Sequence, residues 1–446
     1  MPLTPEDNQF LKGLFQYLHE KPLEPGDPRY VPLYESQPDG DPVGRLAREI
    51  HYSESDSRQF FSGFRGSGKS TQLLRLKKKL DEEGYRVYYA DALEYLNPAL
   101  PIEIGQLLML LAGAFSDAVQ REEGFSLAGE SYWTRLKNFA SANVELDSVE
   151  LGLFSDVAKL KLAIRDGDSF RQKLQKALTL RPYEIDAQVK RFFEDYVKKL
   201  REIHPGAAGI VFLFDNLEQL RGSLASEREV IGSVQTLFST HIERLAIPYV
   251  HVVYTVPPWL KLLMSAAPVE ILPSITQWKK EDRSPVGKGN GCLREVIEGR
   301  FGQEGFVRFF GDDARADELV KVCGGNLRDL IQLLRQAILR VGSLPIPEQD
   351  IQASIRAVRN HFLPLSTKDA LWLAEIAEKR DAVYEDSDPE TIARISLYLD
   401  SHHVLFLRNG DDWYDVHPLI REYVAEIAAG EAKKAEKREA EKASSE

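Results

Sequence analysis

The sequence predicts an α/β fold: a parallel sheet with helices on both faces, then a small helical domain, then a C-terminal unit of helices and a two-stranded wing. Three observations predict it. Apolar strands alternate with helical segments between 58 and 260, the βαβ rhythm of a parallel sheet. "GFRGSGKST" at 63–71 puts a glycine-rich turn between a strand and a helix. "HVLFLRNGDDWYDVHPLI" near the C-terminus alternates around Asn409-Gly410, a hairpin signal, after two helical segments.

Composition bounds the rest. The 446 residues allow two to four domains, and 43% apolar residues is ordinary for a globular chain. A net charge of −12 argues against broad binding to a phosphate backbone. Cys292 and Cys323 make neither a disulfide framework nor a metal cluster. The opening residues lack a basic-then-apolar leader, and the most apolar stretch, 104–115, is too short to span a bilayer and runs into Asp117. The expectation is a cytoplasmic protein with no membrane partner.

Residues 1–57 are rich in Pro, Asp and Glu, with helices expected near 10–19 and over 41–50. "RQFFSG" at 58–63 is a strand, 70–83 a helix closed by Gly84, and "YRVYYADA" at 85–92 the next strand. A helix is expected over 102–121. Period-two alternation in "VELDSVEL" and "AKLKLAI" predicts a hairpin over 144–164, and 168–203 reads as charged helix. The block 131–205 is therefore an insertion in a core domain of 58–275. "GIVFLFDNLEQL" at 209–220 gives a fully buried strand ending in Asp215, and 249–260 another ending at Thr255. A helical lid follows over 276–361, with helices near 293–300, 313–323, 326–341 and 347–360. The winged unit spans 362–428, and 429–446 is a charged tail expected as frayed helix or disorder.

Gly63-Phe64-Arg65-Gly66-Ser67-Gly68-Lys69-Ser70 completes the P-loop pattern, with Thr71 following. Each part has a reason. Glycines let successive N–H groups curl toward phosphates, and the helix that begins there adds its positive end. Lys69 reaches the β and γ phosphates, and the Ser70 hydroxyl ligates Mg²⁺. Asp215, at the end of a buried strand, is placed to hold the same Mg²⁺ through water. ATP or ADP with Mg²⁺ is the expected cofactor. Thr255 ends the neighbouring strand, either beside the γ-phosphate or as a turn into Pro257-Pro258. Glu218 is the nearest carboxylate after Asp215, either a general base or a helix cap.

With these parts the chain resembles the AAA+/STAND branch of bacterial P-loop ATPases over about 30–425. The fold class implied is an α/β P-loop NTPase core with a helical lid and a C-terminal winged-helix domain. "CGGNLRDLIQLL" at 323–334 is similar to the sensor 2 region, where Arg328 would face the γ-phosphate. The resemblance implies that Tyr30 and Val31 of "RYVPLY" touch the adenine base. "YDVHPLIREYV" at 414–424 is similar to the end of STAND winged helices, where His417 would read the β-phosphate of ADP; the alternative is a histidine packed in the wing–helix junction. Three departures stand out. Pro418 follows His417 where one large subgroup of the family carries Asp. Asn216 follows Asp215 where hydrolysing AAA+ proteins carry Glu, and 326–328 lacks the proline of the STAND G-x-P motif. Arg294 and Arg300 are candidates for a finger acting on a neighbouring subunit, or for surface ion pairs.

The winged unit is poorly equipped to read DNA. Its candidate reader, 389–401, carries Arg394 against Glu390 and Asp400. Nucleic acid is a disfavoured partner, although 159–181 is locally basic. The resemblance implies a regulatory ATPase that self-associates with ATP and works with an effector on a separate chain, as in antiphage defence. A DNA-transaction ATPase and a non-hydrolysing nucleotide-binding scaffold are the alternatives.

Overall fold

The computed structural model describes the chain except residues 1, 19–20, 36–39, 125–131, 144–156, 224–225, 264–267, 383–388 and 444–446. Its centre is a five-stranded parallel sheet in the order β2-β3-β4-β1-β5. The strands are β1 (Ser57–Gly63), β2 (Arg86–Asp91), β3 (Ile210–Asp215), β4 (His251–Val256) and β5 (Val269–Leu272). All six residues of β3 and of β4 are buried, so helices must cover both faces of the sheet there. Parallel register sets Asp91 opposite Asp215 on β2 and β3, and Phe61 opposite Thr255 on β1 and β4. The acidic and hydroxyl strand ends thus share the C-terminal edge of the sheet, where open α/β folds place their ligands.

Two helices precede the sheet. Helix α1 (Pro5–Tyr17) opens with Thr4 and Asp7 in a capping box, and α2 (Pro42–Tyr52) with Asp41 as its N-cap. Helix α3 (Lys69–Glu82) starts directly from the glycine loop, with Gly68 at φ +92° as its N-cap. Between β2 and β3 lie α4 (Ile104–Glu123), α5 (Tyr132–Asn143), α6 (Val157–Asp166), α7 (Asp168–Leu180) and α8 (Pro182–Ile203). Pro182 starts α8 and separates it from α7.

Here the structure corrects the expected hairpin. Its first arm lies outside the described residues. The second, "AKLKLAI", is part of helix α6, burying Leu160, Ala163 and Ile164 at spacings of three and four. A short run with apolar residues at both two- and four-residue spacings fits either period, and packing decides between them.

Helix α9 (Glu227–Ser239) separates β3 from β4. Strand β5 has no counterpart in the sequence expectations; it is four residues long, carries Glu270, and among the described residues pairs only with β1, at the sheet edge. Glu270 meets Arg45 of α2 at 2.7 Å, which explains a charge in a strand. The helical region contains α10 (Gly287–Phe310), broken at Gly302, then α11 (Asp313–Val322), α12 (Leu327–Arg340) and α13 (Glu348–Arg359).

The C-terminal unit contains α14 (Thr367–Lys379), α15 (Pro389–Asp400), the antiparallel hairpin β6 (Val404–Asn409) and β7 (Asp411–Val416), and α16 (Pro418–Ala443). The charged tail is helical to Ala443, with Lys434–Glu431 at 2.7 Å among its spaced pairs. Of the two expected states, frayed helix and disorder, the described tail residues adopt the helix.

The parts share one apolar core running from Leu11 to Val424. The fully buried Asp415 of β7 adds a polar tie, taking hydrogen bonds from Trp278, Arg283 and Arg421 at 2.9–3.1 Å.

Candidate nucleotide site

The loop between β1 and α3 is shaped by its glycines. Gly66 and Gly68 hold φ of +83° and +92°, a region where a Cβ is strained. A Cβ on Gly63 would lie 2.8 Å from Ser67 Oγ and 2.9 Å from Leu272. Lys69 folds back over this turn, its Nζ donating to the carbonyls of Gly63 at 2.8 Å and Phe64 at 3.2 Å.

The two residues expected to hold a metal ion come together. The Ser70 hydroxyl lies close enough to the Asp215 carboxylate to favour its charged form. Asp215 is fully buried and accepts from Tyr89 Oη and from Asn216 N, each at 2.8 Å. Burial, with Glu218 beside it, pushes the Asp215 carboxyl up to about 6 despite these donors. A buried acid held at a hydroxyl and short of countercharge is chemically suited to a divalent cation.

Asn216 adopts φ +69°, a left-handed conformation Asn tolerates better than Glu. The turn continues into a short 3₁₀ segment, Leu217–Gln219, that brings Glu218 back to the loop. Its carboxylate lies 3.1 Å from Lys69 Nζ, and both side chains are 6–7% exposed. Glu218 is therefore paired with the loop lysine and caps no helix; α9 begins at Glu227. Thr255 Oγ1 accepts from Leu217 N at 3.1 Å and so anchors this turn, while Thr255 lies outside the cavity lining.

These groups border a cavity of about 420 Å³, within the usual range for small-molecule sites. Gly63, Arg65, Gly66, Ser67, Gly68, Lys69, Ser70 and Thr71 line it; Phe64 instead packs inward toward His402 and Phe406. Tyr30 and Val31 line it too. The N-terminal segment is pinned there by Tyr34 Oη donating to Ser67 O at 2.8 Å and Leu23 N donating to Thr71 Oγ1 at 3.0 Å. Ser67 Oγ and Glu218 Oε2 are buried without a hydrogen-bond partner. Buried orphans beside a backbone cradle fit a phosphate chain and its ion.

Two later segments close over the loop. At the start of α12, the Asn326 side chain accepts from Arg328 N at 2.9 Å and donates to Arg65 O at 3.3 Å. Arg328 lines the cavity, so close to the loop that a Cβ on Gly66 would fall 2.2 Å from its own. Arg300 also lines it, whereas Arg294 is engaged by Asp313 and Asp317. From the C-terminal unit comes Asp400, which the sequence reading did not single out for the site. It lines the cavity and pairs with Arg221 at 3.1 Å.

His417 stands elsewhere. It is fully buried and outside the cavity lining, stacked on Phe362 with ring centroids 4.6 Å apart. Its Nε2 lies 3.5 Å from Asp329, which His402 Nδ1 meets at 2.9 Å. Burial pushes the His417 pKa down, and the Asp329 carboxylate only partly offsets this. Burial would raise Asp329, but the two histidines outweigh it and hold this carboxyl well below the usual range.

No described helix is long and apolar enough to cross a membrane. No protein-family model and no curated protein sequence matches the chain. Solved structures do resemble it at low identity. The Walker-type ATPase of Pyrococcus abyssi matches at 12% identity over 92% of this chain and 99% of that one, with a TM-score of 0.38. Cdc6p of Pyrobaculum aerophilum matches at 11% over 93% and 98%, TM-score 0.35. The ADP form of the Aeropyrum pernix ORC2 protein matches at 14% over 93% and 98%, TM-score 0.40.

Proposed function

We propose that the chain is an ATP-binding regulatory ATPase whose nucleotide state sets its conformation, its self-association and the activity of an effector on a separate chain. The observation behind this reading is that one cavity is lined by the phosphate loop, by Arg328 of the helical region and by Asp400 of the C-terminal unit. A ligand there touches all three parts, so its charge bears on how they sit together. The loop N–H groups and Lys69 would bind phosphate, and Tyr30 and Val31 would border the base. Bound Mg²⁺, held at Ser70 and Asp215, would supply neutralising charge to the β and γ phosphates.

Slow turnover follows from Glu218. Before it can take a proton from water it must leave Lys69, and both groups are buried. The same contact favours a second reading, a nucleotide-binding scaffold that does not hydrolyse. A DNA-transaction ATPase has less support: α15, the candidate reader, packs against α9, and Arg394 faces Asp369 at 4.0 Å. A role in antiphage defence rests on the family resemblance alone.

The test is to identify the nucleotide carried through purification and to measure particle mass by light scattering in Mg-ATP and in Mg-ADP. Retained ADP with a larger particle only in ATP is expected. One mass in both nucleotides contradicts the switch, and absence of turnover together with tight binding favours the scaffold.

A further inference from the structure

We propose that Asp400 is a specificity residue that sets the closed chain against a third phosphate, with Arg221 exchanging Asp400 for that phosphate when α15 is released. The inference rests on the nucleotide reading of the cavity and adds to it how the two nucleotides are told apart.

The geometry carries it. Asp400 is the last residue of α15, and its carboxylate enters the cavity of the phosphate loop. Its side chain is only 9% exposed and stands 3.1 Å from Arg221 Nε. Arg221 is fixed from behind, its backbone N and that of Gly222 donating to Pro98 O at 3.1 and 3.0 Å. Asp400 and Arg221 line the same cavity as Lys69 and Glu218, the groups expected around the outer phosphates. Burial pushes the Asp400 carboxyl up to about 6, with Arg221 and Lys69 pulling it back only in part.

Two carboxylates, Glu218 and Asp400, thus engage two cavity cations, Lys69 and Arg221. A diphosphate held by the loop N–H groups and Lys69 leaves the Asp400–Arg221 pair in place. A third phosphate brings further negative charge toward Asp400 in a poorly solvated space, where like charges repel strongly. Withdrawing Asp400 removes that repulsion and leaves Arg221 a planar donor facing phosphate oxygens. Asp400 is followed within two residues by His402, which holds Asp329 at the start of α12, so its withdrawal pulls on the lid as well.

The experiment titrates the full chain with Mg-ADP and Mg-ATP, as wild type and as Asp400→Asn, and follows hydrogen exchange of α15 in the wild type under each nucleotide. Wild type is expected to bind ADP roughly 10- to 100-fold more tightly than ATP, a usual size for coupled equilibria. Asp400→Asn is expected to tighten ATP and leave ADP within about twofold. In the wild type, α15 should lose protection with ATP and keep it with ADP, a readout that stands even where the variant folds poorly. Equal tightening of both nucleotides, or α15 protection that ignores the third phosphate, overturns the role of Asp400 while leaving nucleotide binding intact. Wild type that binds neither nucleotide overturns the nucleotide reading and this inference with it.

Discussion

Lys69 of the phosphate loop and Glu218 beyond β3 form a buried ion pair, 3.1 Å apart, in the cavity that the three parts of the chain share. On the proposed reading, the pair ties the cation that would hold phosphate to the carboxylate that would activate water.

Breaking the pair from either side should have unequal effects. Lys69→Met leaves Glu218 buried without countercharge and should cost about 3–5 kcal/mol in urea unfolding, whereas Glu218→Gln should cost less. With Mg-ATP, Glu218→Gln should keep binding and lower turnover about 10²- to 10⁴-fold. Unchanged turnover would remove Glu218 as the base.

Gly66 tests the closure of α12 on the loop. At φ +83°, with Arg328 only 2.2 Å from an added Cβ, Gly66→Ala cannot fit without moving the helix. Nucleotide affinity should fall and proteolysis near 323–328 should quicken. Wild-type behaviour in both would show that the lid does not rest on this contact.

Tyr89→Phe removes one of the donors to the buried Asp215 and should lower stability by about 1–3 kcal/mol in the absence of Mg²⁺. Adding Mg²⁺ should recover part of the loss, as countercharge replaces the hydroxyl. A loss that ignores Mg²⁺ would detach Asp215 from the ion.

His417 gives a pH dependence with a definite sign. Its folded pKa is lowered, so the unfolded chain binds its proton first. Its contribution to stability is present above the unfolded value of about 6.5 and is lost as pH falls below it. Melting temperatures at pH 7.5 and 5.5 should therefore drop further for the wild type than for His417→Gln. Parallel slopes would show that His417 takes no part.

Strands β1 to β4 and the loop were legible because their signals are local. Ile210–Phe214, an apolar run before Asp215 too short for a helix and rich in β-branched and aromatic residues, reads as a buried strand, and the glycine spacing at 63–68 dictates its own turn. Glu218 was found by proximity to Asp215, but its partner was not, because the left-handed turn at Asn216 that returns it to Lys69 has no periodic signature. Asp400 was read as an acidic mark against DNA. Its place in the cavity comes from the packing of α15 on α9, a contact between distant segments. His417 shows the reverse: a motif placed it at phosphate, while stacking on Phe362 and the pull of Asp329 hold it behind the cavity wall. Helix α6 was misread because seven residues fit two periods.

Calorimetric titration of the full chain with Mg-ADP, as wild type and as Lys69→Ala, tests the central claim most directly. One site per chain is expected in the wild type, weakened about 100-fold or more once the charge-assisted phosphate contact is gone. Equal binding by both proteins, or none by the wild type, would contradict a nucleotide site at this loop.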